Sequence, residues 1–371
     1  MTRALVGLEA AIGNARGPVE RACLMAERAG LLARLGHADQ ATEALGDLRE
    51  QQAQLVHPAL SAWLALAEGM LAHERQQHAA ARDRIRRAHA LSVAARERPL
   101  IAISAAWLAE TESNGGEAAA MARHVAESLQ EADAEHHAAR ARASLVAAQA
   151  YHWSARLDLA TPWYQRAREH AAADGDDATL SALMTARACI CGAQVRRAAI
   201  VGGELGQADP AAVREALLAA EASRNFDSHL GRHASHPAVM LIHAQLVMVQ
   251  GDAAGALAGL EALLSAADTQ GPAFGASALH ADMAWGTLQL GHPDEALAAA
   301  HTAEQRLCDD DKEDERAAAH GRLAQVFAAL DKPRDAARHH EQAQAQLAAL
   351  AVRQQRTIDV LDDALRQVPG L

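Results

Sequence analysis

Apolar and polar positions along this chain follow the period of an α-helix, in pairs of segments separated by short polar turns. The clearest pair spans residues 281–303, where an apolar stretch ends at Leu290-Gly291, the polar turn His-Pro-Asp-Glu follows, and a second apolar stretch begins at Ala296. A glycine after the last turn of a helix adopts the left-handed conformation at low cost. Proline and acidic residues suit the first turn of the next helix. The pattern predicts a hairpin of two antiparallel helices.

The same layout recurs along the chain, with a small residue twelve positions before an alanine. The alanines that mark the second helix of each hairpin are Ala41, Ala81, Ala118, Ala160, Ala216, Ala256, Ala296 and Ala336, in steps of 40, 37, 42, 56, 40, 40 and 40 residues. A period of this size is typical of a helical solenoid. We expect about eight hairpins in a single solenoid over residues 1–371. A sub-boundary is expected near 176–237, with 1–175 as an N-terminal half and 238–371 as a C-terminal half plus a capping helix.

These hairpins resemble the tetratricopeptide repeat (TPR) family, whose small-residue, Leu-Gly, Ala and Ala positions match Ala284, Leu290-Gly291, Ala296 and Ala303. The family repeat is 34 residues long. The step near 40 is more similar to the extended repeats in sensor domains of large bacterial transcription activators. The resemblance implies an all-α fold, a right-handed superhelix of antiparallel hairpins that ends in a long C-terminal helix.

Composition supports the helical prediction and narrows the classes of partner. Half of the residues are hydrophobic, only 3% are aromatic, and about a quarter are alanine, which favours helix over strand. The formal net charge of −12 argues against nucleic acid as a partner. The sequence shows neither a secretory signal nor the roughly 20 apolar residues of a membrane span. With four scattered cysteines, these features predict a cytoplasmic protein.

Motifs that carry chemistry are missing from the sequence. No G-x-x-x-x-G-K-[ST], H-E-x-x-H or G-x-S-x-G occurs, so we expect no enzyme, no catalytic residues and no cofactor. The densest histidine cluster is His229, His233 and His236, which lies in a stretch, 225–237, that reads as the longest loop. Zinc binding there is the less favoured interpretation, and a solvated loop the preferred one.

The first helix of each hairpin lines the concave face of such a solenoid. The preferred hypothesis is therefore a non-enzymatic scaffold that binds a protein segment or peptide in this groove, although the tryptophans could instead fill gaps in an alanine-rich core. The candidate residues are Trp63, Met70, Trp107, Arg142, Gln149, His152, Trp153, Gln245, Trp285 and Gln325.

Two alternatives stay open at this point. An apolar stripe in the last helix, Ile358, Leu361, Leu365 and Val368, fits either a solenoid cap or the seam of a homodimer, with the cap favoured. The alternative function is a signal-sensing regulatory protein that binds a small molecule or nucleotide. It rests on a resemblance to the repeat regions that precede bacterial diguanylate cyclase domains, with the catalytic domain absent.

Overall fold

The chain is all-α in the part that the computed structural model describes, which is residues 2–52, 54–201, 209–231, 237–270, 276–308 and 312–370. Helices fill nearly all of these ranges, and no strand occurs in them. The helices are α1 (Arg3–Gly13), α2 (Pro18–Arg34), α3 (Ala38–Gln52), α4 (Pro58–Glu74), α5 (His78–Ala95), α6 (Arg98–Asn114), α7 (Ala118–Glu131), α8 (His137–Trp153), α9 (Leu157–Asp174), α10 (Asp177–Val201), α11 (Pro210–His229), α12 (Pro237–Val249), α13 (Ala253–Gln270), α14 (Ala276–Gln289), α15 (Pro293–Gln305), α16 (Glu313–Ala329) and α17 (Pro333–Leu365).

Consecutive helices pair as hairpins, as the sequence pattern predicts. In the pairs α2/α3, α4/α5, α6/α7, α8/α9, α12/α13 and α14/α15 the two helices pack against each other. Most of the small residues predicted at the helix crossings are buried, because a larger side chain would separate the helix axes, whereas the marker alanines Ala118 and Ala336 are half-buried. Ten of the alanines at the marker positions or twelve positions before them have no exposed surface at all: Ala29, Ala41, Ala81, Ala106, Ala148, Ala160, Ala216, Ala256, Ala284 and Ala296.

The turn between the two helices is built in the same way in seven hairpins. One residue has a positive φ, and the next backbone N–H bonds to a carbonyl five residues earlier, which is the Schellman motif. Glycine takes the left-handed position in four turns, and other residues take it in three. These positions are Gly36, Gln76, Gly116, Ala155, Gly251, Gly291 and Asp331. Their spacing of 39 or 40 residues within each run confirms the repeat at the level of backbone conformation.

The helices form two compact units, of which unit 1 contains residues 1–183 and 355–371. In unit 1 the first helices of successive hairpins pack side by side, α2 against α4 and α6 against α8. The apolar stripe near the end of α17 packs into the core formed by α6 to α9, and its members Ile358, Leu361, Leu365 and Val368 are between 0% and 9% exposed. The stripe is therefore covered by this chain itself, as in a cap.

Unit 2 contains residues 184–354. Its cores join α10, α11 and α12 through residues such as Ala188, Val213 and Ile242, and join α14, α15 and α16 around Leu323 and Phe327. The first helices α14 and α16 pack together here as well.

The prediction of a loop over 225–237 is wrong for most of the residues that the structure describes. Residues 225–229 belong to α11, in which Asp227 is buried, and Pro237 already begins α12. The helix continues because no helix-breaking residue occurs before Gly231, which has a φ of +78°. Residues 232–236 lie outside the described part of the chain.

Helix α10 is the one described helix long and apolar enough to cross a bilayer by length and composition, with a mean hydropathy of 1.2. A buried core helix passes the same test. About 44% of its apolar window is buried inside the structure, and Arg196 of this helix is bonded to a buried aspartate.

Candidate functional site

In unit 1, first helices bring charged and aromatic side chains together around Trp107 of α6, which is 1% exposed. The guanidinium of Arg142 (α8) lies over the indole, with Cζ 4.1 Å from the ring centroid, and that of Arg34 (α2) lies at 5.6 Å. The ring of His73 (α4) meets the indole edge-on, with centroids 5.7 Å apart. Both arginines are at cation–π distance. We define the Trp107 cluster as Arg34, His73, Trp107, Glu110, Arg142 and Asp176.

The local sequence of α6 explains why one large ring can sit at this position. Its neighbours Ala105, Ala106 and Ala109 are fully buried and carry only a methyl group each. In α8 the residues on either side of Arg142 are likewise buried alanines, Ala141 and Ala143. Small side chains let the helices approach closely and leave volume for the indole and the guanidinium.

One side of the Trp107 cluster is a closed ion pair. Arg34 donates from one Nη to both carboxylate oxygens of Asp176, at 2.7 and 2.9 Å, and to the hydroxyl of Thr179 at 2.6 Å. Asp176 is 2% exposed. Burial raises the pKa of this carboxyl, but Arg34 and the hydrogen bonds from Thr179 outweigh burial, so the pKa lies below its usual value. Asp176 is therefore held as a carboxylate.

The other side of the Trp107 cluster is open in its hydrogen bonding. Arg142 is 5% exposed, and its nearest carboxylate oxygen, Oε2 of Glu110, is 3.7 Å from Nη1. Burial and then the charge of Arg34 lower the pKa of Arg142. Within the described residues, Nε of Arg142, Nε of Arg34 and Oε2 of Glu110 have no hydrogen-bond partner. Each such buried group costs about 1–3 kcal/mol, so the arrangement is one that a bound polar group would stabilise.

Unit 2 contains a second polar cluster on first helices, centred on the fully buried Asp282 of α14. Arg196 (α10) and Gln245 (α12) donate to one of its carboxylate oxygens at 2.6 and 3.0 Å, and Arg322 (α16) donates to the other at 3.0 Å. Burial lowers the pKa of Arg322, while Asp282 opposes that shift. The Asp282 cluster consists of Arg196, Gln245, Asp282, Trp285, Arg322 and Gln325.

The remaining members of the Asp282 cluster surround Arg322. Its Nη1 donates to the side-chain carbonyl of Gln325 at 2.8 Å, and its guanidinium lies 5.5 Å from the ring centroid of Trp285. Gln325 in turn donates to the backbone carbonyl of Ile200 at 3.1 Å. Both oxygens of Asp282 are already used, so this cluster joins four first helices of unit 2.

Five of the ten residues predicted to bind a partner belong to these two clusters, Trp107 and Arg142 to the first, and Gln245, Trp285 and Gln325 to the second. Five of the ten are buried: Met70, Trp107, Arg142, His152 and Gln245. The other five are half-buried: Trp63, Gln149, Trp153, Trp285 and Gln325. Only the half-buried group offers surface to a partner in this conformation, and partner binding by the ten residues stays a prediction.

His152 has a structural environment that the sequence did not indicate. Its Nδ1 lies 3.1 Å from the hydroxyl of Tyr164, inside the α8/α9 hairpin. Conversely, the sequence prediction missed Arg34, Asp176, Arg196, Asp282 and Arg322. Each of them directly follows a buried apolar residue or glycine, which is a weak signal that the charge lies inside the protein, where it requires a partner.

The histidines that the sequence offered as a weak metal site do not form a described cluster. His229 is exposed at the end of α11. His233 and His236 lie outside the described residues.

Comparison with known proteins identifies the fold and leaves the family open. No family model matches this chain, and no curated protein matches it. A crystal structure of a Rap protein complexed with Competence and Sporulation Factor matches with a TM-score of 0.54 at 12% sequence identity, over 94% of this chain and 92% of that chain. At this identity the match shows the fold alone, a TPR-like helical solenoid.

Proposed function

We propose that this chain is a non-enzymatic cytoplasmic scaffold, and that it binds a peptide segment of a partner protein on the first helices of unit 1. The observation that carries the proposal is the open side of the Trp107 cluster, where buried donors and an acceptor lack partners. The fold adds support, since a Rap protein of the same fold holds Competence and Sporulation Factor.

A peptide main chain fits the open side of the cluster chemically. The groups without partners are two donors, Nε of Arg34 and of Arg142, and one acceptor, Oε2 of Glu110. An extended peptide offers carbonyl acceptors and N–H donors in alternation. These three atoms have almost no exposed surface, so binding has to turn at least one of the side chains towards the partner. The hydrogen bonds gained offset the cost of leaving the groups unpaired in the free chain.

Half-buried residues beside the cluster would provide the first contacts. Trp63 of α4 and Gln149 and Trp153 of α8 are on the first helices that contribute His73 and Arg142. Arg142 and Gln149 are two turns apart and so share a face of α8. Tryptophan is enriched at the energetic centres of protein interfaces. The proposed site thus combines apolar contacts at its surface with main-chain hydrogen bonds beneath.

A random peptide library displayed against the purified full chain tests the proposal, because the selection requires no assumption about the partner's sequence. The selected peptides are synthesised and titrated against the wild-type chain, Arg142→Gln and Trp153→Ala. We expect an affinity loss of about 10-fold or more in each variant, as for an interface residue worth more than about 1.4 kcal/mol. Arg168→Gln is the matched control, because Arg168 is exposed on α9.

Three results contradict the proposal. The library yields no binder, the selected peptides bind Arg142→Gln and Trp153→Ala as tightly as the wild type, or Arg168→Gln loses as much affinity as they do. A thermal shift with a small metabolite or nucleotide in place of peptide binding would favour the signal-sensing alternative.

The proposal extends to location and assembly. A cytoplasmic location agrees with four free cysteines, since a reducing compartment keeps thiols unpaired. A partner that is neither nucleic acid nor a membrane agrees with the net charge of −12. A homodimer through α17 would have to use residues outside the buried stripe, such as the 72% exposed Val352.

A further inference from the structure

The second helices of unit 1 bring two histidines and a glutamate together outside the Trp107 cluster. His89 comes from α5, and His124 and Glu127 come from α7, three residues apart and therefore on one helix face. The Nε2 atom of His89 lies 3.4 Å from Oε2 of Glu127, and that of His124 lies 3.9 Å from the same oxygen. The three ligand atoms all lie within 4.8 Å of one another.

Both histidines have a hydrogen-bonding group at the ring nitrogen opposite Glu127. The hydroxyl oxygen of Ser104 lies 3.1 Å from the carbonyl oxygen of Ile101 and 3.2 Å from Nδ1 of His89, so when the hydroxyl donates to Ile101 its oxygen accepts from Nδ1–H of His89. The buried carboxylate of Glu112 accepts from Nδ1–H of His124 at 2.6 Å. A neutral imidazole carries one N–H and one lone pair. With the proton on Nδ1, each ring directs the lone pair of Nε2 towards Glu127.

Three electron-pair donors that face one another repel unless a proton or a metal ion lies between them. Two imidazole nitrogens and one carboxylate oxygen are the donor set that Zn²⁺ takes in sites with three protein ligands and one open position. Zinc bonds of about 2.0–2.2 Å in a tetrahedron place the ligand atoms roughly 3.3 Å apart. The distance from His89 to Glu127, 3.4 Å, already fits this spacing, and the distance from His124 to Glu127, 3.9 Å, exceeds it by about half an ångström.

The groups behind the ligands match those of known zinc centres. A histidine ligand usually donates its second N–H to a carboxylate or another acceptor, which fixes the ring and makes the ligand more basic. Glu112 and Ser104, both of α6, fill that role for His124 and His89. The side chains of the two histidines are 13% and 15% exposed and that of Glu127 is 34% exposed. An ion can therefore enter from the Glu127 side.

We propose that His89, His124 and Glu127 form a Zn²⁺ site, with Glu112 and Ser104 as positioning residues and water as the fourth ligand. The ion would join α5 of one hairpin to α7 of the next, and so clamp two neighbouring repeats of unit 1. This proposal is independent of peptide binding, because it uses none of the residues of the Trp107 cluster.

Calorimetric titration of the metal-free full chain with ZnCl₂ tests the proposal directly. We expect one equivalent to bind with a Kd of about 1 µM or tighter. His89→Ala and Glu127→Gln should each weaken this step by about 100-fold or more, and Glu112→Gln by about 10- to 100-fold. His340→Ala is the matched control and should bind as the wild type does, because His340 is exposed on α17.

A second measurement keeps the proposal testable if a variant fails to fold. X-ray absorption of the zinc-loaded wild-type chain should show two imidazole nitrogens and oxygen donors in a four-coordinate shell, and the Co²⁺ form should show tetrahedral d–d absorption. Absence of a binding step tighter than about 100 µM overturns the proposal. An unchanged affinity in His89→Ala and Glu127→Gln, or a shell with fewer than two imidazoles, overturns it as well.

Discussion

Gly69 of α4 is the position at which the repeat demands the smallest residue, and its substitution tests the packing of a hairpin. A Cβ atom built on Gly69 would lie 2.5 Å from Cγ1 of Ile85 in α5 and 3.3 Å from the backbone nitrogen of the same residue. Carbon atoms in contact lie about 3.5–4.0 Å apart. The Gly69→Ala substitution therefore creates an overlap of about 1 Å, which cannot be relieved by a flexible side-chain end, because Ile85 is fully buried.

The expected change in free energy has two parts of opposite sign. Overpacking of a well-filled core costs about 1–3 kcal/mol. Alanine in place of glycine inside a helix stabilises by about 0.5–1 kcal/mol. Gly46→Ala in α3 is the matched control, because nothing lies within 4 Å of a Cβ at that exposed position. The control should be stabilised by about 0.5–1 kcal/mol, so the difference between the two variants isolates the steric cost of about 1–3 kcal/mol.

Urea unfolding followed by far-UV circular dichroism gives the free energies, with Ile85→Ala as the third arm of a double-mutant cycle. Ile85→Ala alone should destabilise by about 2–5 kcal/mol, since it leaves a cavity. In that background the overlap with the Ile85 side chain is gone and only the 3.3 Å contact with the backbone nitrogen remains, so Gly69→Ala should lose most of its penalty. Two results would refute the close crossing of α4 and α5. One is a Gly69→Ala variant as stable as the Gly46→Ala control. The other is a stability penalty of Gly69→Ala that is equal in the wild-type and Ile85→Ala backgrounds.

Three further predictions concern the buried charges, the histidines and the turns. Asp282→Asn should lower the free energy of unfolding by about 3–5 kcal/mol, because two buried guanidinium groups lose their carboxylate partner. The control Asp294→Asn, at an exposed position, should change the free energy of unfolding little. Equal effects of the two substitutions in urea titrations would contradict the role of the Asp282 cluster. Burial lowers the pKa of His320 from 6.5 to about 4, so between these pH values the unfolded chain binds more protons than the folded chain. The free energy of unfolding should therefore fall by about 1–2 kcal/mol from pH 7 to pH 4. His320→Gln should remove that part of the decline in melting experiments at different pH values, and an unchanged profile would contradict the prediction. Gly291 and Ala155 both have a positive φ, a conformation that strains alanine but not glycine. Gly291→Ala should therefore destabilise the chain by about 1 kcal/mol in thermal unfolding, and Ala155→Gly should not destabilise it. A loss of stability in Ala155→Gly would contradict the strain assigned to alanine at that position.

The repeat could be predicted from the sequence because its determinants are local. The Leu-Gly turn and the alanine after it occur within about a dozen residues, and the structure places Gly36, Gly251 and Gly291 in the left-handed conformation that such turns need. Where Gln76 or Ala155 takes the same position, the sequence offers no turn residue. These turns can be located only by counting about 40 residues from the turns of the neighbouring hairpins. At these positions the packing of the two helices, rather than a glycine, holds the backbone in the left-handed conformation.

The candidate sites could be predicted only in part, since they depend on contacts between residues far apart in the chain. Arg34 and Asp176 are separated by 142 positions, and nothing in either local segment indicates the other. His89 and His124 lie on different hairpins, so the spacing of histidines along the sequence draws attention to 229–236 and not to them. Two of the four first-helix tryptophans, Trp107 and Trp285, belong to the two polar clusters. The sequence could not show that Trp107 is buried beneath two guanidinium groups.

Helix α6 carries two buried glutamates, Glu110 and Glu112, and they differ in how completely their carboxylates are hydrogen-bonded. Almost every residue of α6 between Leu100 and Glu112 is buried, so each acid on it requires a partner inside the protein. Glu112 has one, Nδ1 of His124 at 2.6 Å. Glu110 lies two positions earlier and therefore points to the other side of the helix. Its nearest charged partner is Arg142, with Nη1 at 3.7 Å from Oε2, and among the described residues Oε2 accepts no hydrogen bond. Glu112 is thus a buried carboxylate whose hydrogen bonding is complete within the chain, whereas that of Glu110 is not. The unfinished bonding of Glu110 and Arg142 therefore favours a partner at the Trp107 cluster over a purely structural role for these charges.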